Sequence, residues 1–152
     1  MESMRISEQD IIKAQELWAE NIINIGKIYL EKGDYKDYAR KFVKNFYAYD
    51  FGKVLFKPTL ASKNQFRNTF DDALSYFVKG SIQEDEGFAL KCWDNIRYED
   101  RNILILDNYA FAMGNYFFKS SNTDNEIKVE YTFGYIKKLS LIHISEPTRH
   151  TR

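Results

Sequence analysis

The hydrophobic period of this chain changes once along its length, and that change limits what it can fold into. From Ile11 the apolar residues Ile11, Ala14, Trp18, Ile22, Ile25 and Tyr29 recur at steps of three and four. That is one stripe along a helix of about six or seven turns. From Gly87 the period becomes two, in strand-like runs over about 88–98, 102–106, 109–119 and 126–136. Helices come first and an antiparallel meander follows, so the class is α+β. The natural architecture is a long N-terminal helix packed in the concave face of a curved antiparallel sheet.

Local signals punctuate this plan. Ser7 with Asp10 three residues on is a capped helix start, and Lys32-Gly33 is a stop at which glycine suits a left-handed cap. Asp34 caps a second helix with Tyr35, Tyr38, Phe42 and Phe46 on one face. Residues 51–57 read as a short strand ended by Pro58, and Thr69-Phe70-Asp71-Asp72 opens a short helix through Ser75, Tyr76 and Phe77. Asp107-Asn108 is a tight hairpin turn, and Ser120 to Asn125 is a polar loop.

A chain of 152 residues makes one domain, and its 16% aromatic content includes eleven Tyr and twelve Phe but two Trp. So many tyrosines point to a core or cleft lined by rings that carry a hydroxyl. The formal charge is zero, which gives no basic footprint for nucleic acid or an anionic membrane. One cysteine, Cys92, excludes an intrachain disulfide and a cysteine-rich zinc site. No apolar run approaches the roughly 20 residues of a membrane span, and MESMRISEQDII lacks the pattern of a signal peptide, so a cytoplasmic location is expected.

Five blocks carry the chemistry: VLFKPT (Val54–Thr59), ALSYFV (Ala73–Val78), GFALKCW (Gly87–Trp93), AMGNYFF (Ala112–Phe118) and VEYTFGY (Val129–Tyr135). They offer hydroxyls, amides and rings, and residues 1–138 contain no histidine. A three-histidine zinc centre and a Ser-His or Cys-His nucleophile are therefore excluded there. What remains is a hydrogen-bonding pocket. Thr59 either closes a turn after Pro58 or presents its hydroxyl, and Tyr76 is either a core ring with a satisfied hydroxyl or a donor across a cavity. Asn115, between Gly114 and Tyr116, needs a partner if it faces inward and is a second-tier substrate-binding candidate. Trp18 and Trp93 read as packing, and Glu130, Lys57 and Arg67 as surface or anion-steering groups. Asp71 and Asp72 read as helix-start charges, and Cys92 as a half-buried strand residue.

In this order the five blocks resemble the iota-class carbonic anhydrases. These are small domains of the nuclear-transport-factor-2-like (SnoaL-like) superfamily, related to the association domain of calcium/calmodulin-dependent kinase II. The likeness runs from about Ile6 to Lys138 and includes IIKAQELW and IGKIYLEKGDY (Ile25–Tyr35). It implies a cone-shaped α+β domain, a homodimer, and reversible hydration of carbon dioxide to bicarbonate with no metal or cofactor. By that analogy Thr59 and Tyr76 contact substrate, together with a serine from a final His-His-Ser-Ser strand that this chain lacks. Cys92 stands where the family pattern has a proline before the tryptophan. The rival expectation is a non-catalytic small-molecule-binding or oligomerisation module, because this superfamily hosts both roles. A cyclase or isomerase would want an acid/base pair such as Asp-His, which the body does not offer.

After Lys138 the sequence becomes LSLIHISEPTRHTR, which resembles the translation of a transposon-type sequencing adapter. Both histidines and one of the two prolines lie there, and without Glu146, Arg149 and Arg152 the body has 20 basic and 21 acidic residues. The expected division is a domain over 1–138 with its last strand missing and a non-native tail over 139–152. Leu139, Leu141 and Ile144 alternate well enough to pair at the sheet edge in place of the natural strand.

Overall fold

The computed structural model describes residues 5–138 and 141–146; Leu139, Pro147 and His150 of the tail lie outside the described residues. Ser7 opens α1 (Glu8–Leu30) with the reciprocal box its spacing predicts. Its hydroxyl accepts from the Asp10 amide at 3.1 Å, and the Asp10 carboxylate accepts from the Ser7 amide at 2.9 Å. The buried face of α1 is Ile11, Gln15, Trp18, Ala19, Ile22, Ile25 and Gly26, so the stripe holds at Ile11, Trp18, Ile22 and Ile25, while Gln15, Ala19 and Gly26 join it, Ala14 is half-buried and Tyr29 leaves it. The left-handed residue after the helix is Lys32 (φ 62°) and not Gly33. Gly33 serves a close approach instead, since a Cβ there would lie 2.9 Å from Ile28 Cγ2. Asp34 caps α2 (Tyr35–Phe46), and Thr69 caps α3 (Phe70–Val78), each accepting from the amide three residues on.

The strand expected over 51–57 does not form. Ala48–Phe51 is a 3-10 turn, and the stretch beyond Gly52 carries only a single bridge position, at Lys57. The alternation is real, with Val54 and Phe56 buried and Leu55 exposed. Its partner, however, is a loop: the Arg67 amide donates to the Phe56 carbonyl at 2.6 Å.

The sheet has the order β1-β2-β3-β4, all neighbours antiparallel, from β1 (Trp93–Leu106), β2 (Tyr109–Ser120), β3 (Glu126–Lys138) and β4 (Leu141–Glu146). The runs expected over 88–98 and 102–106 are one strand, preceded by a 3-10 turn at Phe88–Leu90. Register shifts at Trp93/Asn95 and Glu99/Asn102 bend it, the second around Asp100 at φ 57°. Cys92 is half-buried but lies just before the strand, at φ 63°. In the tail, β4 pairs with β3 as the alternation anticipates, with Ile144 opposite Tyr135.

Alternation sends Ala112, Tyr116 and Phe118 of β2 and Tyr131, Phe133 and Tyr135 of β3 into the core. Trp18 of α1 meets Tyr116, Phe118 and Phe133 there, at ring-centroid distances of 5.7, 6.2 and 6.0 Å. Gln15 is buried because β1 holds it: its carbonyl accepts from Tyr98 Oη at 2.9 Å and its side-chain oxygen from Arg101 Nε at 2.7 Å. Gly114 lets the bent β1 and Tyr131 approach, since a Cβ there would lie 2.9 Å from both the Asp100 carbonyl and Tyr131 Oη. Gly114→Ala is therefore expected to destabilise the fold by about 1–3 kcal/mol, read as a lower urea midpoint with unchanged slope.

Candidate active site

Beside Trp18, α1 leaves part of the inner sheet face uncovered. The space is a cavity of about 290 Å³, several times the roughly 30 Å³ share of one water. Tyr116, Phe118, Val129 and Phe133 form its floor, and Tyr47, Pro58, Thr59, Leu60, Tyr76 and Phe88 close its sides.

Thr59 and Tyr76 thus come together from separate elements. Thr59 sits in a turn after Pro58, where the Ala61 amide donates to the Pro58 carbonyl at 3.3 Å. Its hydroxyl makes no hydrogen bond to any described residue. Tyr76 lies in the last turns of α3, stacked on Phe88 at 5.6 Å and set edge-on to Phe56 at 6.0 Å. Its Oη accepts from the Leu60 amide at 3.4 Å, which leaves the phenol hydrogen for the cavity. Burial pushes the Tyr76 phenol well above its ordinary value, only partly offset by that bond, so the group is a neutral donor.

The loop that carries Thr59 is tied down by charges. Arg67 is not a surface or anion-steering group: its side chain is 0% exposed. The guanidinium makes two 2.7 Å bonds to Asp85, donates to the Asn64 and Asp72 carbonyls, and lies 5.7 Å from the Tyr76 ring centroid. Asp85 also accepts from Ser75 Oγ at 2.6 Å, one residue before Tyr76. Glu84 accepts from the amides of Ser62, Lys63 and Asn64 at 2.8, 2.9 and 2.6 Å, and from Ser62 Oγ at 2.9 Å. Those donors, the Asn64 amide foremost, hold its carboxyl down to about 2.

Asn115 is not brought to the cavity. It falls between the inward Tyr116 and Gly114, on the other face of β2, and its amide donates to Asp100 Oδ2 at 3.4 Å. Lys57 is half-buried with its ammonium 5.5 Å from the Phe66 ring, and Glu130 is exposed. Trp93 packs as expected and also lines the cavity, its Nε1 donating to the Phe88 carbonyl at 2.9 Å. Asp71 and Asp72 lie in the first turn of α3.

Two lining groups escaped the sequence analysis. Tyr47, just past α2, is 1% exposed, and Lys91 is the only cation among the described lining residues. A tyrosine at a helix end gives no signal of its own, and Lys91 looks like any surface lysine. The lining holds no histidine, cysteine or carboxylate, and among the described residues no group of three or more His, Cys, Asp or Glu could hold a metal ion.

A family profile for metal-independent carbonic anhydrases matches residues 9–143. The chain belongs to that family. It is 42% identical over 115 residues to the metal-independent carbonic anhydrase of Nostoc sp. (strain PCC 7120 / SAG 25.82 / UTEX 2576). The match takes in 72% of this chain and 56% of the relative, so the chain spans little more than half the length of that carbonic anhydrase. The crystal structure of a cyanobacterial iota-carbonic anhydrase complexed with bicarbonate is similar at a TM-score of 0.92 and 32% identity, over 100% of this chain and 98% of that one. A putative calcium/calmodulin dependent protein kinase II association domain from Xanthomonas campestris shares the fold at a TM-score of 0.65 and 17% identity, over 95% and 89% of the two chains. The α+β fold of this family member is nuclear-transport-factor-2-like, as the resemblance implied.

The Glu84 clamp has a pH signature. A carboxyl lowered on folding contributes stability that is complete above its ordinary 4.5 and is lost as pH falls through about 2. The amide proton shifts of Ser62, Lys63 and Asn64 should therefore titrate together near pH 2. A common midpoint near 4.5 would mean that the clamp does not form.

Proposed function

We propose that the chain catalyses the reversible hydration of carbon dioxide to bicarbonate in this cavity, without a metal, and that Thr59 and Tyr76 contact the substrate. One observation carries the reading: the Thr59 and Tyr76 hydroxyls, their hydrogens given to no described residue, come together on a space walled mainly by rings and aliphatic groups. Carbon dioxide is apolar and enters such a space readily, while bicarbonate needs convergent donors. In the forward direction a water oxygen attacks the carbon, a C–O bond forms, and one C=O electron pair moves onto oxygen. The Thr59 and Tyr76 hydroxyls donate to the oxygens on which charge grows, and the released proton passes to water. Holding water and carbon dioxide in attack geometry supplies several kcal/mol of the barrier reduction, and each donor in a dry site about 3 kcal/mol. Lys91, paired with Glu86 at 3.3 Å, adds positive charge at the wall for the anionic product.

The same reading takes residues 139–152 as standing in for the family's own last strand, with activity impaired in consequence. The lack of a His-His-Ser-Ser run and the adapter-like LSLIHISEPTR support it. Restoring a family terminus after Lys138 should raise hydration from low or absent to measurable. In that background Thr59→Ala and Tyr76→Phe should each lower kcat/KM at least tenfold by stopped-flow pH-indicator assay, with the melting temperature little changed. A folded protein with a natural terminus and no hydration above buffer would favour the non-catalytic binding module.

We also infer a homodimer through the outer sheet face. Leu104 and Leu106 of β1 and Tyr109 and Met113 of β2 are 57, 50, 47 and 59% exposed. Register places them side by side, with Leu104 opposite Phe111 and Leu106 opposite Tyr109. An apolar patch of this kind in a chain of net charge zero favours self-association. Met113→Lys should shift the mass measured by light scattering from dimer to monomer, and a parent chain that is monomeric at high concentration would refute the inference.

A further inference from the structure

Bicarbonate has three oxygens, and the two hydroxyls assigned above leave one of them without a donor. The cavity wall holds a third hydroxyl of the same kind. Tyr47 is 1% exposed and lines the cavity with Thr59 and Tyr76. Its Oη accepts from Trp18 Nε1 at 3.2 Å. An indole N–H can only donate, so the Tyr47 oxygen is the acceptor in that bond and keeps its own hydrogen. That hydrogen meets no acceptor among the described residues. A buried donor left in this way is uncommon and expensive unless something occupies it.

The phenol cannot turn elsewhere to find a partner. Phe42, Phe56 and Phe77 pack around its ring at centroid distances of 6.1, 5.3 and 6.0 Å. Its backbone closes α2 by donating to the Val43 carbonyl at 3.0 Å and bridges to Ile144 of β4. Burial keeps the group protonated, and Tyr47 and Tyr76 line one cavity of about 290 Å³, small enough for one ligand to meet both.

We propose that Tyr47 is the third hydrogen-bond donor to bicarbonate, acting beside Thr59 and Tyr76 at the same cavity. The proposal rests on the carbon dioxide hydration reading and extends it to a residue on neither of the two blocks that carry Thr59 and Tyr76. Trp18 then has a second task besides packing: by occupying the acceptor side of the Tyr47 oxygen, it turns the hydrogen toward the cavity. It is a positioning residue, and Tyr47 is the group that touches the ligand.

The test is a titration of carbon-13-labelled bicarbonate against the full chain, followed by NMR line width, with Tyr47→Phe and Thr59→Ala alongside. Tyr47→Phe keeps every ring contact and should weaken binding about tenfold, the worth of one hydrogen bond to an anion. Because that change also strips Trp18 of its acceptor, a second variant carries a ring-fluorinated tyrosine at position 47. This keeps the ring, the oxygen and the Trp18 contact but makes the hydrogen a stronger donor, so bicarbonate should bind more tightly. A purely structural role would leave that affinity unmoved. If Thr59→Ala weakens binding and neither change at position 47 alters it, the Tyr47 proposal is overturned and the hydration reading stands. If the parent chain binds no bicarbonate, the Tyr47 proposal is overturned for this chain, and the hydration reading is decided separately by the assay on the chain with a restored family terminus.

Discussion

The site depends on one buried ion pair. Arg67 and Asp85, at 0 and 2% side-chain exposure, join by two bonds of 2.7 Å in a part of the molecule that has no sheet to organise it. Removing either partner from such a pair strands a buried charge, at about 3–5 kcal/mol. Its reach is greater than its energy suggests. Arg67 closes the base of the Thr59 loop through its amide bond to Phe56, and Asp85 holds Ser75, the neighbour of Tyr76. The pair therefore sets the separation of two hydroxyls that sit on different elements seventeen residues apart. Glu84 adds a second tie one residue away, gathering the amides of the same loop.

That arrangement resolves a conflict inside the cavity. Walls of Phe, Trp and Tyr exclude water and strengthen any hydrogen bond made there, yet the same dryness penalises a charged ligand. Carboxylates on the wall would raise the penalty, and the structure keeps them outside: Glu84 and Asp85, with the Arg67 guanidinium, lie behind Tyr76, spent on one another and on backbone groups, while Lys91 is the one ionised group among the described lining residues. The hydroxyls face inward as neutral donors, their phenols pushed up by burial. Dipoles held in advance stabilise a growing anion without a desolvation cost at the moment of reaction.

How much of this could be read from the chain follows from the range of each interaction. The caps at Ser7, Asp34 and Thr69 involve residues three apart, and the periods of α1 and of the meander are local, so all were legible. That Thr59 and Tyr76 share one cavity was open to expectation only through the family resemblance of the blocks that contain them, since alone each reads equally as a turn residue or a core ring. The strand expected over 51–57 shows the limit: a period of two reports which side chains are buried and not whether the backbone has a strand beside it. Arg67 was misjudged because nothing near it in sequence reveals a partner eighteen residues on. Asn115 was ambiguous for another reason. Both faces of AMGNYFF carry rings, and Phe117 is covered from outside by the Arg97 guanidinium at 4.2 Å, so apolarity alone does not say which parity faces the core.

The turn into β1 shows how a small backbone change can be absorbed near the site. Cys92 has φ 63°, whereas a proline is locked near −65°. A proline at position 92 would therefore have to enter this strand by another backbone path. Here the left-handed residue lets Trp93 swing under Phe88 and donate to its carbonyl at 2.9 Å, so that the indole holds the ring that stacks on Tyr76. The contact that matters at the site is Phe88 on Tyr76, and a turn of either kind serves provided that it delivers the indole to the Phe88 carbonyl. What the site constrains at position 92 is where the following side chain arrives, and here a left-handed backbone at Cys92 meets that constraint.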